Sequence, residues 1–179
     1  WGPIARDLEL VRQTGCRYHV CHISTKESVA LIRQAKREGL DVSCETAPHY
    51  LLLDESMLQE DGRFKMNPPL RTKEDQQALW KGLYNGAIQT VSTDHCSFTL
   101  EQKEAGKDDF TKIPGGLPGV ETRGVLLYTF GVAAGKITKE KMAEVLSENP
   151  AKLYGAWPRK GAILAGSDAD IVVYDPEAD

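Results

Sequence analysis

Three short apolar runs, separated by segments of helical periodicity and each running into polar residues, constrain this chain more than any other feature. The first spans residues 17–23 and contains Tyr18-His19-Val20-Cys21-His22-Ile23. The second is Asp41-Val42-Ser43-Cys44-Glu45, and the third covers 88–91 and leads into Asp94. Between the first two, Ser24 and Glu27 have the spacing of an S-x-x-E capping box. Val29, Ile32 and Ala35 then line one helical face until Gly39. Thr72 and Asp75 repeat that pattern ahead of Ala78, Leu79 and Leu83, and Gly86 closes the segment. A leading helix over 4–14 puts Ile4, Leu8 and Val11 together and stops at Gly15. Strand, helix, strand, helix, strand requires crossover connections. The expected class is therefore α/β, a parallel sheet with helices packed outside it.

In such sheets reactive side chains sit at the carboxyl tips of the strands. Three tips carry polar groups here: His22, Glu45 and Asp94. Asp94, inside Ser92-Thr93-Asp94-His95-Cys96-Ser97-Phe98, reads either as a catalytic carboxylate or as the cap of the following turn. His22 reads either as a core histidine satisfied by a carbonyl or as a metal ligand. An imidazole and a carboxylate at neighbouring tips suit a divalent transition metal such as zinc, although two donors do not complete a site.

The remaining segments are less regular. Residues 46–53 read as a loop with Pro48, His49 and three leucines, and Asp61-Gly62 as a turn. Pro68 and Pro69 hold 65–71 extended. Residues 99–119 form a long polar loop, of a length that is usually functional. Helices follow over 120–134, with Leu127, Phe130 and Ala134 on one face, then after Thr138, and after Asn149 with Pro150 in first position. Residues 161–164 and 170–174 read as two short strands about a Gly166-Ser167-Asp168 turn. The expected division is a barrel-like part over 1–160 and a small β unit over 161–179.

The chain has 179 residues, 41% of them hydrophobic, enough for one domain with a real core. A net charge of -4 without a basic stripe excludes nucleic acid as an expected partner. No apolar run is long enough to span a bilayer, so no membrane partner is expected. Cys16, Cys21, Cys44 and Cys96 show no C-x-x-C spacing and read as reduced, largely buried thiols of a cytoplasmic protein. The chain opens at Trp1, within the first helical pattern, as a fragment lacking its front half would.

The runs CHISTKESV (21–29), ETAPHYLLL (45–53), KMNPPLRTKEDQQALW (65–80), STDHCSFTLEQKEAGKDDFTKIPGGLPGVETR (92–123), ENPAKLYG (148–155) and GSDADIVVYDP (166–176) resemble the dihydropyrimidinase/hydantoinase group of the amidohydrolase superfamily. The resemblance covers nearly the whole chain, and its most specific part is 92–123. It implies the C-terminal part of a (β/α)8 metal-dependent hydrolase barrel, about three strands, with the remnant of a small β-sandwich. It implies that His22 is a ligand of one metal. Asp94 would bind the other and shuttle a proton. Asn67, Gly115 and His95 fall on the substrate side, and Glu45 and His49 receive no ligand role. Two divalent ions, expected to be zinc, would activate water in the intact parent. The family's HxH pair, carboxylated lysine and strand-five histidine have no counterpart here, so this chain alone is expected to hold no binuclear centre and to turn over nothing.

The implied substrate is a small cyclic amide, a dihydropyrimidine or hydantoin. Asn67 is dihydroorotase-like, but Phe98 stands where dihydroorotases carry a second histidine, and this favours a neutral ring. Gly115 stands where relatives often carry Asn. A dihydroorotase or allantoinase is the alternative within enzymes, and a non-catalytic dihydropyrimidinase-related scaffold the alternative outside them. Sheet edges near Val20 and Val91, with apolar inner faces, are expected to drive homo-oligomerisation or pairing with a missing N-terminal half.

Overall fold

Backbone pairing places three parallel strands side by side in the order β1 (Tyr18–Val20), β2 (Val42–Thr46), β3 (Thr90–Val91). The structure is a computed structural model and describes residues 1–176. Tyr18 pairs with Val42 and Val20 with Cys44; Glu45 pairs with Thr90 and Thr46 with Val91. The ladder runs past the strand ends, because Ile23 N–H donates to Glu45 O at 2.8 Å and Ser92 N–H to Thr46 O at 2.9 Å. β1 and β3 are shorter than their apolar runs in the sequence, whereas β2 keeps the five-residue length of its run, shifted by one residue. The chain leaves the extended conformation at the tips, where His22 and Asp94 turn it.

Helices α1 (Gly2–Thr14), α2 (Lys26–Arg37) and, after two short helices α3 (Pro48–Leu52) and α4 (Glu55–Glu60), α5 (Lys73–Tyr84) supply the apolar face that the sheet needs. Leu8, Val11, Ile32, Ala35, Leu79 and Leu83 are buried together with Val20, Val42, Cys44 and Val91. Burying one such leucine contributes about 2 kcal/mol. Thr25, not Ser24, caps α2: its side chain accepts from Ser28 N–H. The pattern placed the cap one residue early because both hydroxyls precede the same apolar face. Thr72 and Asp75 do form the reciprocal box at the start of α5. Asp75 also accepts from Lys26 N–H at 2.8 Å, joining the first turns of α2 and α5.

The opposite face of the sheet departs from expectation. On β2, Val42, Cys44 and Thr46 are buried while Ser43 and Glu45 are half-buried, and His19 shares their environment. The uncovered face is therefore polar, not apolar, and the apolar alternation belongs to the helix side alone.

Residues 46–53 are not a loop. Pro48 at the start of α3 pre-sets helical geometry, and Trp80 Nε1 donates to Leu51 O at 3.0 Å. The long polar segment is also partly ordered: Thr99 and Gln102 form a capping box for α6 (Leu100–Glu104), and a 3-10 turn covers Phe110–Lys112. Then α7 (Arg123–Leu127) continues into a π-helical turn, Tyr128–Val132, and α8 (Lys139–Ala143) into another, Glu144–Glu148, before α9 (Asn149–Leu153). The π turns shift the helical faces, which is why Leu127 and Val145 are buried but Phe130 is 44% exposed. Asn149 does not cap α9; its amide donates to Gln89 O at 2.9 Å and holds the helix against the segment entering β3.

Residues 161–176 form no strand, and Val172 and Val173 are 89% and 90% exposed, without a strand partner among the described residues. Residues 177–179, the end of the expected β unit, lie outside the described residues. No helix among the described residues is long and apolar enough to cross a membrane. All four cysteines are free, but only Cys44 is buried. Cys16, Cys21 and Cys96 follow or precede the ends of regular elements, where the chain meets solvent.

Candidate active site

The turns after β1 and β3 are held by one residue between them. Thr46, at the end of β2, donates its hydroxyl to Ile23 O at 2.9 Å, and its own carbonyl accepts from Ser92 N–H. His22 and Asp94 are thereby fixed at the same end of the parallel sheet. Both adopt the left-handed region, at φ 38 and φ 45, and among the described residues they are the non-glycine residues that do so. A non-glycine residue there is uncommon and costs free energy unless its surroundings hold it.

Among the described residues, His22 is half-buried without a hydrogen bond to a neighbouring carbonyl, and Asp94 is exposed without a cap bond to the following turn. His22 acts on Glu45 and His49, and Asp94 acts on Cys21 and Tyr50.

The groups around them are electrostatically sorted. His49, read from sequence as a loop residue, lies buried in α3, and its Nε2 has no hydrogen-bond partner. Burial, with His22 nearby, pushes its pKa down to about 4, so it is neutral in ordinary conditions. Glu45 is also desolvated, but hydrogen bonds from His19 and Ser92 outweigh this and hold its carboxyl below the usual range. Burial raises the Tyr50 phenol, whose hydroxyl donates to Pro68 O at 2.9 Å.

The two segments expected on the substrate side come together. Gly116 N–H donates to Lys65 O at 3.0 Å, and a Cβ on Gly115 would sit 3.8 Å from Met66 Cα. Asn67 is exposed beside this junction and precedes a cis bond to Pro68. Gly116 has φ 151, and a Cβ there would lie 2.6 Å from Cys96 O, so the loop passes closely over the turn that carries Asp94. His95 shapes the same loop: its Nδ1 accepts from Gly119 N–H at 3.1 Å and from Val120 N–H at 3.3 Å. The ring that the sequence placed near substrate thus orders the loop around it.

Lys103 escaped the sequence reading. It is buried, and its ammonium donates to Lys65 O, Pro114 O and Gly116 O at 2.8–2.9 Å. One cation therefore clamps both loops. A lysine in a charged loop gives no signal for this, because only the tertiary fold brings the three carbonyls together.

Comparison with known proteins accords with this arrangement. A profile of the amidohydrolase family matches residues 4–179. The chain belongs to the amidohydrolase family. It is 48% identical over 173 residues to a dihydroorotase of Anoxybacillus flavithermus, covering 96% of this chain and 39% of that protein. It is 43% identical over 176 residues to a D-hydantoinase of Geobacillus stearothermophilus, covering 96% and 37%. The solved D-hydantoinase (dihydropyrimidinase) of Thermus sp. superposes with a TM-score of 0.94 at 42% identity, covering 98% of this chain and 39% of that one. The chain therefore spans less than two fifths of the length of these relatives.

Amidohydrolases generally use divalent metals, and the rim donors have the right chemistry for one. His22 offers a half-buried imidazole and Asp94 an exposed carboxylate. They do not stand with a third His, Cys, Asp or Glu donor as a close set among the described residues.

Proposed function

We propose that this chain is the metal- and proton-handling rim of a cyclic amidohydrolase that opens a dihydropyrimidine or hydantoin ring. The observation that carries the reading is the pairing of His22 and Asp94 in left-handed turns at one end of one parallel sheet, in a member of this family. On this reading the three strands are the last part of a (β/α)8 barrel, residues 1–160 belong to it, and 161–179 to a small β-sandwich.

His22 would hold one divalent ion and Asp94 the other, with zinc the expected metal. Divalent ions held there would make a bound water acidic enough to ionise near neutrality and would polarise the amide carbonyl. Asp94, exposed at its carboxylate, takes the proton from the attacking water and returns it to the leaving ring nitrogen. The junction of Asn67 with Gly115, clamped by Lys103 and ordered by His95, forms a wall against which a flat ring packs, and Gly115 offers it only backbone. Phe98 in place of a second histidine leaves the wall without a partner for a ring carboxylate, which favours a neutral diamide over dihydroorotate.

Two donors do not make a binuclear centre, so the chain by itself is proposed to be inactive. Its strand edges at β1 and β3 are proposed to pair with a second copy or with the rest of a barrel. Free thiols fit a cytoplasmic protein.

The test is a chimera in which this chain replaces the matching segment of the Thermus D-hydantoinase, assayed on dihydrouracil, hydantoin and dihydroorotate. Ring opening of the two neutral diamides, with little on dihydroorotate, is expected. Turnover of dihydroorotate alone would overturn the substrate assignment, and a folded, metal-loaded chimera active on none would overturn the enzymatic one.

A further inference from the structure

A second cluster of donors lies on the uncovered face of the sheet. His19 and Cys21 alternate onto that face from β1 and its extension, and Glu45 meets them from β2. One donor atom from each lies within 4.8 Å of the other two. We propose that His19, Cys21 and Glu45 form a mononuclear site for a borderline divalent cation such as zinc, using neither His22 nor Asp94.

Four features carry this. His19 Nε2 and Glu45 Oε2 are 3.4 Å apart, longer than a good N–H···O bond. That is the spacing of two donors on one tetrahedral zinc, roughly 3.3–3.8 Å for metal–donor lengths of about 2.0–2.3 Å. The other ring nitrogen is already engaged: His19 Nδ1 and Ser43 Oγ are 2.8 Å apart, which fixes the imidazole with Nε2 toward the cluster. Ligating histidines are oriented in this way by a partner on the second nitrogen. Ser92 similarly supports the Glu45 carboxylate. Cys21 is exposed, so a hydrated ion can enter and keep a water in the fourth position, while the Tyr154 ring stands edge-on to His19 at 6.2 Å as a side wall.

The charges balance. On binding, the Cys21 S–H bond breaks and its proton goes to solvent as the S–metal bond forms. Thiolate and carboxylate then neutralise a dication, and His19 adds a neutral donor. In the absence of a cation the same residues are a His19–Glu45 contact beside a free thiol, and this is the reading that the proposal must beat.

The experiment uses the whole 179-residue chain, stripped of metal and titrated with Co2+ and then Zn2+. One ion per chain is expected to bind with a thiolate-to-cobalt charge-transfer band and release of about one proton. Cys21→Ser and His19→Gln should each weaken binding at least tenfold and Cys21→Ser should abolish the band, whereas Ser43→Ala should weaken binding about tenfold. Asp94→Asn, Cys16→Ser and Cys96→Ser should keep the band. A readout that needs no variant runs beside it: zinc should slow alkylation of Cys21 at least tenfold and leave Cys16 and Cys96 unchanged. No charge-transfer band, a band that survives Cys21→Ser, loss of the band in Asp94→Asn, or alkylation of Cys21 indifferent to zinc would each overturn the site. None of these outcomes depends on the chimera's activity.

Discussion

His22 and Asp94, 72 residues apart in sequence, share one uncommon backbone conformation at the carboxyl ends of two strands, φ 38 and φ 45. An L-residue held there costs about 1 kcal/mol or more, a cost that glycine does not meet. Among the described residues Asp94 makes no hydrogen bond that would offset this cost. Asp94→Gly is therefore expected to be as stable as the parent chain or up to about 1 kcal/mol more stable in urea unfolding. A loss above about 1 kcal/mol would mean that the carboxylate holds the turn together.

The ammonium of Lys103 ties the 65–67 and 114–116 segments through three carbonyls, beside the direct bond from Gly116 N–H to Lys65 O. Lys103→Met keeps the length of the side chain but leaves those carbonyls without their donor, a loss of about 2–4 kcal/mol. Amide exchange should rise at Gly116 and along 114–119 more than in α2 or α5. Uniform loosening of the whole chain would contradict a local clamp.

Asp75 receives hydrogen bonds from Thr72 N–H, Thr72 Oγ and Lys26 N–H. One carboxylate thus caps α5 and tethers the start of α2. Asp75→Ala should destabilise by about 2–3 kcal/mol, well above the roughly 1 kcal/mol of an isolated cap. Thr72→Ala, which leaves the Lys26 bond in place, should cost about half as much. Equal losses in the two variants, by denaturant titration, would show that the tether to α2 contributes nothing.

Much of this organisation is legible in the sequence, and the exceptions have physical causes. The three strands, the covering helices and their buried faces follow from Val29, Ile32, Leu79 and Leu83, because periodicity reports which side meets the core. The polar strand tips at His22 and Asp94 are equally legible. Periodicity says nothing about an uncovered sheet face, and so His19 and Ser43 are hidden behind the apolar character of Val20, Val42 and Cys44, while Glu45 is legible only as a strand tip. The helix at Pro48 was missed because it is held by tertiary bonds such as Trp80 to Leu51, not by propensity. The Lys103 clamp and the double role of Asp75 each need a partner far along the chain, Lys65 at 38 residues and Lys26 at 49, which no local pattern contains.

His49 gives the fold a dependence on pH. Its imidazole is neutral in the folded chain down to about pH 4, against an ordinary value of 6.5. Between these values the unfolded chain binds the extra proton, so this contribution is complete above pH 6.5 and is lost as the pH falls toward 4. The loss amounts to about 3 kcal/mol in total. His49→Gln should flatten the stability profile over that window in urea titrations at fixed pH. An unchanged slope would place the acid sensitivity elsewhere.

The central claim is that the carboxylate of Asp94 moves the proton in ring opening, and kcat for dihydrouracil in the Thermus chimera tests it most directly. Asp94→Asn is expected to lower kcat by about 10²–10⁴-fold in a chimera that still folds. A kcat within a few-fold of the Asp94 chimera would contradict the account.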